Sequence, residues 1–244
     1  MHNPRIGCVP YLNAKPLIYG IEKQVIYGSP VELSIMLKNG QLDVALCPVG
    51  ASLVEGWNCF IDGIGIVANG DVYSVIFVLK KPLELVQTVN ADPQSRSSVL
   101  LLQVILESFY GKKVQFVSSV EQADGFLLIG DKALEYRKKH PGQEVVDLGG
   151  LWKKLTGLPF VFALWTLGPA GMSIKEEIKS LLTKTKERGL SSREKIAANS
   201  HQLHYLTHYI HYEVGEKEKM GIEEFLKNLI KINVVDQYNP FYWV

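Results

Sequence analysis

The stretch VIYGSPVELSIMLKNGQLDVALCP, residues 25–48, predicts the class of fold. It holds two short strand-like runs, at 25–27 and 43–47, with a helical pattern between them. The helix is predicted to start after Ser29, which has the spacing of a capping box with Glu32. A strand, a helix and a strand in such close succession form a βαβ unit, which implies a parallel sheet with a right-handed crossover.

The chain on either side of this unit continues the same alternation. Upstream, 5–9 is an apolar strand that ends in a turn bounded by two prolines. Downstream, two strands are predicted to be joined through a turn of suitable composition, Ala68-Asn69-Gly70-Asp71. The remaining predicted elements are strands at 86–90, 114–117, 125–129 and 145–147, an apolar segment at 160–167, and helices at 97–109, 132–139, 151–156, 174–188, 191–209 and 222–230.

Two candidate boundaries divide the chain into lobes, one at Lys80-Lys81-Pro82 and one at Gly168-Pro169-Ala170-Gly171. Residues 1–81 and 171–244 form a predicted lobe 1 that is discontinuous and helical in its C-terminal part, while residues 82–170 form lobe 2, an inserted α/β lobe. We therefore expect a two-lobed α/β fold with a ligand cleft between the lobes, because small ligands prefer such interfaces.

Composition and charge limit the partners of the protein. The 26 Lys and Arg residues nearly balance the 25 Asp and Glu residues, so no strong field would attract nucleic acid or a membrane surface. No stretch is apolar enough to span a membrane, and no signal-type segment follows the first residues. Cys8, Cys47 and Cys59 share no metal-type spacing, which favours buried thiols in a reducing compartment. We expect a cytoplasmic protein, and the oligomeric state stays open.

Hydroxyl groups crowd the start of the predicted helix at 97–109, in the segment Asp92-Pro93-Gln94-Ser95-Arg96-Ser97-Ser98. A helix N-terminus binds anions, because its first N–H groups are unpaired and its dipole is positive there. A single serine, Ser95 or Ser97, is enough to cap a helix. Anion binding and simple capping are therefore both open for this segment.

Other polar residues stand where predicted strands begin or end. Gly130 and Asp131 follow an apolar strand, at the edge where open α/β sheets bind ligands, although Asp131 could also be a helix cap. Asn13 lies between two prolines and offers a donor and an acceptor, although it could instead form an Asx turn. Ser74 is a hydroxyl in an otherwise apolar strand, where a buried core serine is the alternative.

Three patterns are interpreted as unrelated to the chemistry. A loose dinucleotide-binding pattern at 63–68 is followed by no helix, and the basic run at 137–140 is interpreted as a solvated helix end. Four histidines share one predicted helix face but lack the glutamate of a metalloprotease motif, so we expect a partly exposed polar surface. These are His201, His204, His208 and His211. No metal and no other cofactor is expected.

Several segments, taken together and in chain order, carry a family resemblance. They are IGCVPYLNAKPL (6–17), DVALCP (43–48), YSV (73–75), DPQSRSSV (92–99), LIGD (128–131), DLG (147–149), Trp152 and LTGLPFVFA (155–163). This set resembles the chorismate dehydratases of the futalosine route of menaquinone biosynthesis. The resemblance implies a type II periplasmic-binding-protein-like fold, used as a cytoplasmic enzyme without a cofactor.

The resemblance also implies an activity and a set of site residues. The family is a hydro-lyase that converts chorismate to 3-[(1-carboxyvinyl)oxy]benzoate and water by β-elimination. It implies Asn13 as the catalytic residue, and substrate binding by Tyr11, Ser74, Ser97, Ser98, Gly130 and Asp131. An amide is no general base, so the enolpyruvyl carboxylate of the substrate is the expected proton acceptor. Family members commonly have Arg where Lys15 stands, and Lys cannot replace a bidentate arginine fork.

Three other functions remain as alternatives. The main one is a non-catalytic solute-binding protein for small carboxylates with the same fold, which the absence of a signal-type segment disfavours. A second is the neighbouring enzyme of the pathway, which cleaves a cyclic futalosine derivative, and the Pro-Tyr-Leu-Asn-Ala segment at 10–14 favours the dehydratase over it. A third is a ligand-sensing regulator, for which no DNA-binding segment is found.

Overall fold

The computed structural model of the protein describes residues 3–91 and 96–244. Its strands are short, and many of them are buried. They are β1 (Ile6–Cys8), β2 (Val25–Tyr27), β3 (Val44–Pro48), β4 (Cys59–Ala68), β5 (Val75–Leu79), β6 (Thr88–Ala91), β7 (Gln115–Val117), β8 (Gly125–Ile129), β9 (Val145–Asp147), β10 (Phe160–Leu167) and β11 (Tyr242–Trp243).

The helices are most frequent in the second half of the chain. The α-helices are α1 (Pro30–Lys38), α2 (Val49–Val54), α3 (Arg96–Val104), α4 (Gly130–Lys139), α5 (Leu148–Thr156), α6 (Lys175–Ser191), α7 (Arg193–Ile196), α8 (Ser200–His204) and α9 (Glu216–Lys231). Short 3-10 helices occupy Leu12–Leu17, Glu22–Gln24, Leu83–Leu85 and Pro169–Ile174, and α3 and α8 continue as π-helical turns at Ile105–Phe109 and Tyr205–Tyr209.

The chain forms two compact units, and each is discontinuous in sequence. Unit 1 comprises the residues up to 67 together with 161–215 and 239–244, and unit 2 comprises 68–160 and 216–238. The boundaries differ from the predicted ones, at 67/68 rather than 81/82 and at 160/161 rather than 170/171. The physical reason lies in the pairing, because β5 belongs to the sheet of unit 2 and α9 packs against α3 there.

Unit 1 is built on a six-stranded sheet with the order β11-β4-β10-β3-β1-β2. β1 pairs in parallel with both β2 and β3, which confirms the predicted βαβ unit. The capping box of α1 is also confirmed, since the Ser29 hydroxyl accepts from the Glu32 N–H at 3.3 Å and the Glu32 carboxylate accepts from the Ser29 N–H at 2.7 Å. The aromatic C-terminal tail forms β11, which pairs with β4.

Unit 2 is built on a five-stranded sheet with the order β7-β6-β8-β5-β9. β6 pairs in parallel with β7 and β8, whereas β5 is antiparallel to β8 and to β9. The residue before β5 therefore lies at the same edge as the residues that follow β6, β8 and β9. We call this edge, defined by the start of β5 and the carboxyl ends of β6, β8 and β9, the carboxyl edge of unit 2.

Two sequence-based expectations about the elements are wrong. Residues up to 81 were expected in one lobe, but β4 lies in the sheet of unit 1 and β5 in the sheet of unit 2. The single helix expected at 191–209 is interrupted, and α8 has its own N-cap at Asn199, whose side chain accepts from the Gln202 N–H at 3.0 Å. Local composition predicts where strands and helices lie, but not which strands share a sheet.

Two further observations concern membrane-spanning helices and the three thiols. In residues 3–91 and 96–244, none of the helices combines the length and the apolar character needed to cross a membrane. Cys8 and Cys47 are buried, as expected, while Cys59 is partly exposed and its sulfur lies 3.9 Å from that of Met172. Burial raises the pKa of Cys8 and of Cys47 to about 12.

Candidate functional site

In unit 1, the candidate residues Tyr11 and Asn13 lie where the chain leaves β1. The Tyr11 carbonyl accepts a hydrogen bond from the Ala14 N–H at 3.1 Å, which starts the 3-10 helix Leu12–Leu17. The apolar residues of this helix, Leu12, Ala14, Pro16 and Leu17, are buried, and the helix packs on α6. This close approach is possible because position 189 of α6 is a glycine, whose missing Cβ leaves room for the backbone of Pro16.

The side chain of Asn13 is half-buried, and its Oδ1 atom is fully buried without a hydrogen-bond partner among the described residues. The predicted alternative of an Asx turn is therefore wrong, because in such a turn Oδ1 would accept a backbone N–H. A buried acceptor without a partner costs about 1–3 kcal/mol. Tyr11 is also half-buried, whereas Lys15 is exposed.

In unit 2, the structure brings Ser74 and Gly130 together. Val75 of β5 pairs with Ile129 of β8. Just beyond this pair, the N–H of Gly130, which follows Ile129, donates to the carbonyl of Ser74, which precedes Val75, at 2.8 Å. Ser74 is 1% exposed. Gly130 has a positive φ of 57°, and a Cβ built there would meet nothing within 4 Å, so its backbone faces open space.

Ser97 and Ser98 occupy the first turn of α3, with exposed fractions of 4% and 6%. Since α3 follows β6, and β6 is parallel to β8, both serines belong to the carboxyl edge of unit 2. Ser97 lies inside the helix and so is not its N-cap. Ser95, the other predicted cap, lies outside the described residues, as do the other residues of 92–95.

Asp131 also lies at this edge, but not in the expected role. It belongs to the first turn of α4, the N-cap position is Ile129, and no side chain caps this helix. The predicted capping role of Asp131 is therefore wrong. The side chain is exposed, and its negative charge is favourable at a helix N-terminus.

Asp147, which ends β9 at the same edge, is not among the predicted site residues. Its Oδ1 accepts from the N–H groups of Gly149 and Gly150, both at 3.1 Å, and so caps α5. The same oxygen accepts from the Val72 N–H at 2.9 Å, and Oδ2 accepts from the Tyr73 N–H at 2.8 Å. Burial raises the pKa of this carboxyl, and its backbone hydrogen bonds oppose that shift.

Arg137 contacts both Asp147 and Tyr73. The prediction that its helix end is simply solvated is therefore wrong for this residue. Its Nη2 donates to Asp147 Oδ2 at 3.1 Å, and its Nε donates to the Tyr73 carbonyl at 3.0 Å. The guanidinium carbon lies 4.4 Å from the centroid of the Tyr73 ring, and the side chain is only 20% exposed. A signal existed in the sequence, since Tyr73 and Asp147 both lie in segments of the family resemblance.

The histidines at 201–211 lie in unit 1 and do not share one helix. His204 and His208 stack with ring centroids 4.1 Å apart, while His211 lies in a bridge with Val67. A cavity of about 600 Å³ is lined in part by His204 and His208, and none of the predicted site residues lines it. Across the described part of the chain, no three His, Cys, Asp or Glu side chains are grouped to hold a metal ion.

Comparison with known proteins identifies the family of the chain. A family model described as menaquinone biosynthesis matches residues 4–230. The chain belongs to this family. Because the match covers both units, the segments that carry Asn13, Ser74, Ser97 and Gly130 all lie within it.

Two curated relatives have the same name. The chorismate dehydratase of Thermus thermophilus is 28% identical over 92% of this chain and 94% of its own length. The chorismate dehydratase of Campylobacter jejuni is 29% identical over 92% of each chain.

Solved structures with low sequence identity confirm the fold. A protein of Archaeoglobus fulgidus superposes with a TM-score of 0.75 at 14% identity, over 95% of this chain and 98% of that one. A Candida albicans protein described as having the generic periplasmic binding protein fold superposes with a TM-score of 0.65 at 11% identity, over 98% of this chain and 92% of that one. The periplasmic aliphatic sulphonate binding protein of Escherichia coli superposes with a TM-score of 0.60 at 16% identity, over 96% of this chain and 94% of that one. The fold is therefore periplasmic-binding-protein-like, as predicted.

Proposed function

We propose that this protein is a chorismate dehydratase, a hydro-lyase that converts chorismate to 3-[(1-carboxyvinyl)oxy]benzoate and water. The observation that carries the proposal is the full-length similarity to two chorismate dehydratases within a menaquinone biosynthesis family. We further propose that it works in the cytoplasm on this freely diffusing substrate, without a nucleic-acid partner or a cofactor.

In this proposal the carboxyl edge of unit 2 binds one carboxylate of the substrate. The first turn of α3 lies at the positive end of the helix dipole, where an anion is favoured, and Ser97 and Ser98 add hydroxyl donors. Both serines are nearly buried, so hydrogen bonds to a carboxylate would form with little competition from water. Hydrogen bonds to charged groups of this kind contribute about 1.5–3 kcal/mol each.

Ser74 and Gly130 supply a second part of the contact surface. Their backbones are joined by the 2.8 Å hydrogen bond, so the two residues lie side by side at this edge. The open space at Gly130 lets a ligand approach the main chain closely, which any Cβ would hinder. We assign Asp131 a contact through its backbone N–H, because its carboxylate would repel a dianionic substrate.

Asn13 and Tyr11 are the contribution of unit 1 to the proposal. The partnerless Oδ1 of Asn13 is an acceptor for the hydroxyl or ring substituents of the substrate, and its amide nitrogen is a donor. Neither atom is a useful base, so the proton lost from the ring goes to the enolpyruvyl carboxylate of the substrate. The hydroxyl leaves with a proton as water while the ring becomes aromatic, and the protein mainly holds the reactants in position.

A non-catalytic solute-binding protein is the rival function. The periplasmic binding protein in the comparison supports it only through the fold, since its identity to this chain is 16%. The full-length relatives are enzymes by name. We therefore propose catalysis, and not solute binding alone, as the function of this protein.

The deciding experiment incubates the purified protein with chorismate and separates the products by chromatography. We expect 3-[(1-carboxyvinyl)oxy]benzoate to accumulate catalytically, and Asn13→Ala to reduce kcat about 100-fold, because loss of orientation costs that much. Asn58→Ala is the matched control, since Asn58 belongs to the same unit and its side-chain amide donates to the Pro240 carbonyl at the surface, away from the predicted site residues. Stoichiometric binding of chorismate without product would support the solute-binding function instead.

A further inference from the structure

The residue before Ser74 has an unusual backbone conformation. Tyr73 has a φ of 65°, in the left-handed region that non-glycine residues with a bulky side chain avoid. Such strain persists only where the surrounding structure imposes it, and it is concentrated at functional sites. The contacts around Tyr73 therefore indicate what imposes it.

Both peptide groups that flank Tyr73 are held by side chains. Asp147 Oδ2 accepts from its N–H at 2.8 Å, and Arg137 Nε donates to its carbonyl at 3.0 Å. Arg137 also lies over the Tyr73 ring and pairs with Asp147, so the three residues form a closed cluster. A Cβ at Gly149 would lie 2.7 Å from the Gly70 carbonyl, which shows how tightly this loop packs on the start of α5.

We infer that Asp147 and Arg137 are positioning residues that hold Tyr73 in its left-handed conformation and thereby present Ser74 to the substrate. The inference rests on the proposed function, because it assumes that Ser74 contacts chorismate. Neither positioning residue needs to touch the substrate. The contacts of these residues keep Tyr73 at a positive φ in the absence of substrate, so the backbone conformation that presents Ser74 is formed before the substrate binds.

The two oxygens of Asp147 divide their contacts in a way that makes the inference testable. Oδ1 holds Val72 and caps α5, whereas Oδ2 holds Tyr73 and Arg137. In Asp147→Asn, the remaining carbonyl oxygen can keep the Oδ1 contacts. The NH₂ group that replaces Oδ2 cannot accept from Tyr73 or Arg137. This variant therefore releases Tyr73 while leaving the cap of α5 in place.

We expect Asp147→Asn to raise KM for chorismate about tenfold with kcat nearly unchanged. The reason is conformational selection, since the released backbone adopts the left-handed conformation in only a fraction of molecules, and the apparent affinity falls by that fraction. Arg137→Lys should act in the same direction, because a lysine cannot donate to both Tyr73 and Asp147 with the geometry of the guanidinium. A purely structural role would lower stability and the active fraction without changing KM.

Asp124→Asn is the matched control. Asp124 also accepts two backbone N–H groups, those of Gln87 and Thr88 at 2.8 and 2.9 Å, but it precedes β8 at the opposite edge of the same sheet. The same chemical change there should leave KM unchanged. If Asp124→Asn raised KM for chorismate as much as Asp147→Asn does, the inference would be wrong.

Tyr73→Gly provides the second test, because glycine adopts a positive φ without strain. In the Tyr73→Gly background, Asp147→Asn should raise KM by less than about twofold, compared with tenfold in the wild-type background. Equal effects in both backgrounds would show that Asp147 does not act through the conformation of Tyr73, and would refute the inference.

A crystal structure of the Asp147→Asn variant separates this inference from the proposed function. We expect Tyr73 to move to a negative φ while α5 keeps its cap. If Tyr73 stays at a positive φ, the inference is wrong whatever the activity. If the wild-type protein neither binds nor converts chorismate, the proposed function fails, and the inferred presentation of Ser74 to that substrate fails with it, even where Tyr73 does move.

Discussion

Replacing Gly189 by alanine tests the packing that places Asn13. Gly189 lies in the last turn of α6, against the 3-10 helix Leu12–Leu17. A Cβ at this position would lie 2.6 Å from the carbonyl carbon of Pro16 and 2.8 Å from its Cα, whereas ordinary contacts begin at 3.4 Å. The backbone of Pro16 must therefore move away by about 1 Å, because main-chain atoms cannot rotate aside.

Two free-energy terms of opposite sign decide the effect of Gly189→Ala on stability. Alanine in place of glycine stabilises a helix by up to about 1 kcal/mol. Overpacking costs typically about 1–3 kcal/mol, and contact with rigid backbone places this site at the upper end. The net expectation is a loss of roughly 2 kcal/mol, which lowers Tm by roughly 4–8 °C in a protein of this size.

The effect on activity follows from the same displacement. Asn13 precedes Pro16 in the same 3-10 helix, so a shift of about 1 Å moves its amide relative to the substrate. Misplacement on this scale reduces turnover by about 100-fold. Thermal denaturation gives the stability, and chorismate turnover per folded molecule, measured by chromatography of the product, gives the activity.

Ser180→Ala is the control, because Ser180 is exposed in the middle of α6. It should leave turnover unchanged and increase stability by at most roughly 0.5 kcal/mol. An unchanged or raised Tm in Gly189→Ala would refute the packing argument. A lowered Tm with full turnover per folded molecule would instead show that Asn13 has no orienting role.

Two further predictions concern titration and reactivity. The hydrogen bonds from Lys81 and from the Gln87 N–H hold the pKa of Asp124 well below its usual value of 3.8. The stability that Asp124 contributes is therefore complete above pH 3.8 and is lost as the pH falls through the lowered pKa. In urea titrations, Asp124→Asn should lower the free energy of unfolding at pH 7, and this loss should become progressively smaller below pH 3.8. Alkylation at pH 8 followed by mass spectrometry should modify Cys59 first and leave Cys8 and Cys47 protected until unfolding, because burial raises the pKa of the latter two to about 12. Equal rates at all three thiols would contradict the burial argument.

Local signals in the sequence predicted much of the secondary structure. The capping box at Ser29 placed the start of α1, and the apolar run at 125–129 matched β8 to the residue. Such features depend on neighbours within a few positions, so the sequence displays them directly. The expectation that residues up to 81 belong to lobe 1 did not hold for β5, because its partners β8 and β9 lie some fifty to seventy residues away.

The same difference between local features and contacts over long sequence distances applies to the candidate site. The sequence by itself determined the family, the hydroxyl-rich start of α3 and the polar residues at strand ends, because those features are local or are carried by segments in a recognisable order. Only the tertiary structure decided that Ser74 lies beside Gly130, and that Asp147 and Arg137 hold Tyr73 at a positive φ. These contacts join residues far apart in the chain, and hydrogen bonds of this kind depend on distance and direction, which the order of residues does not contain.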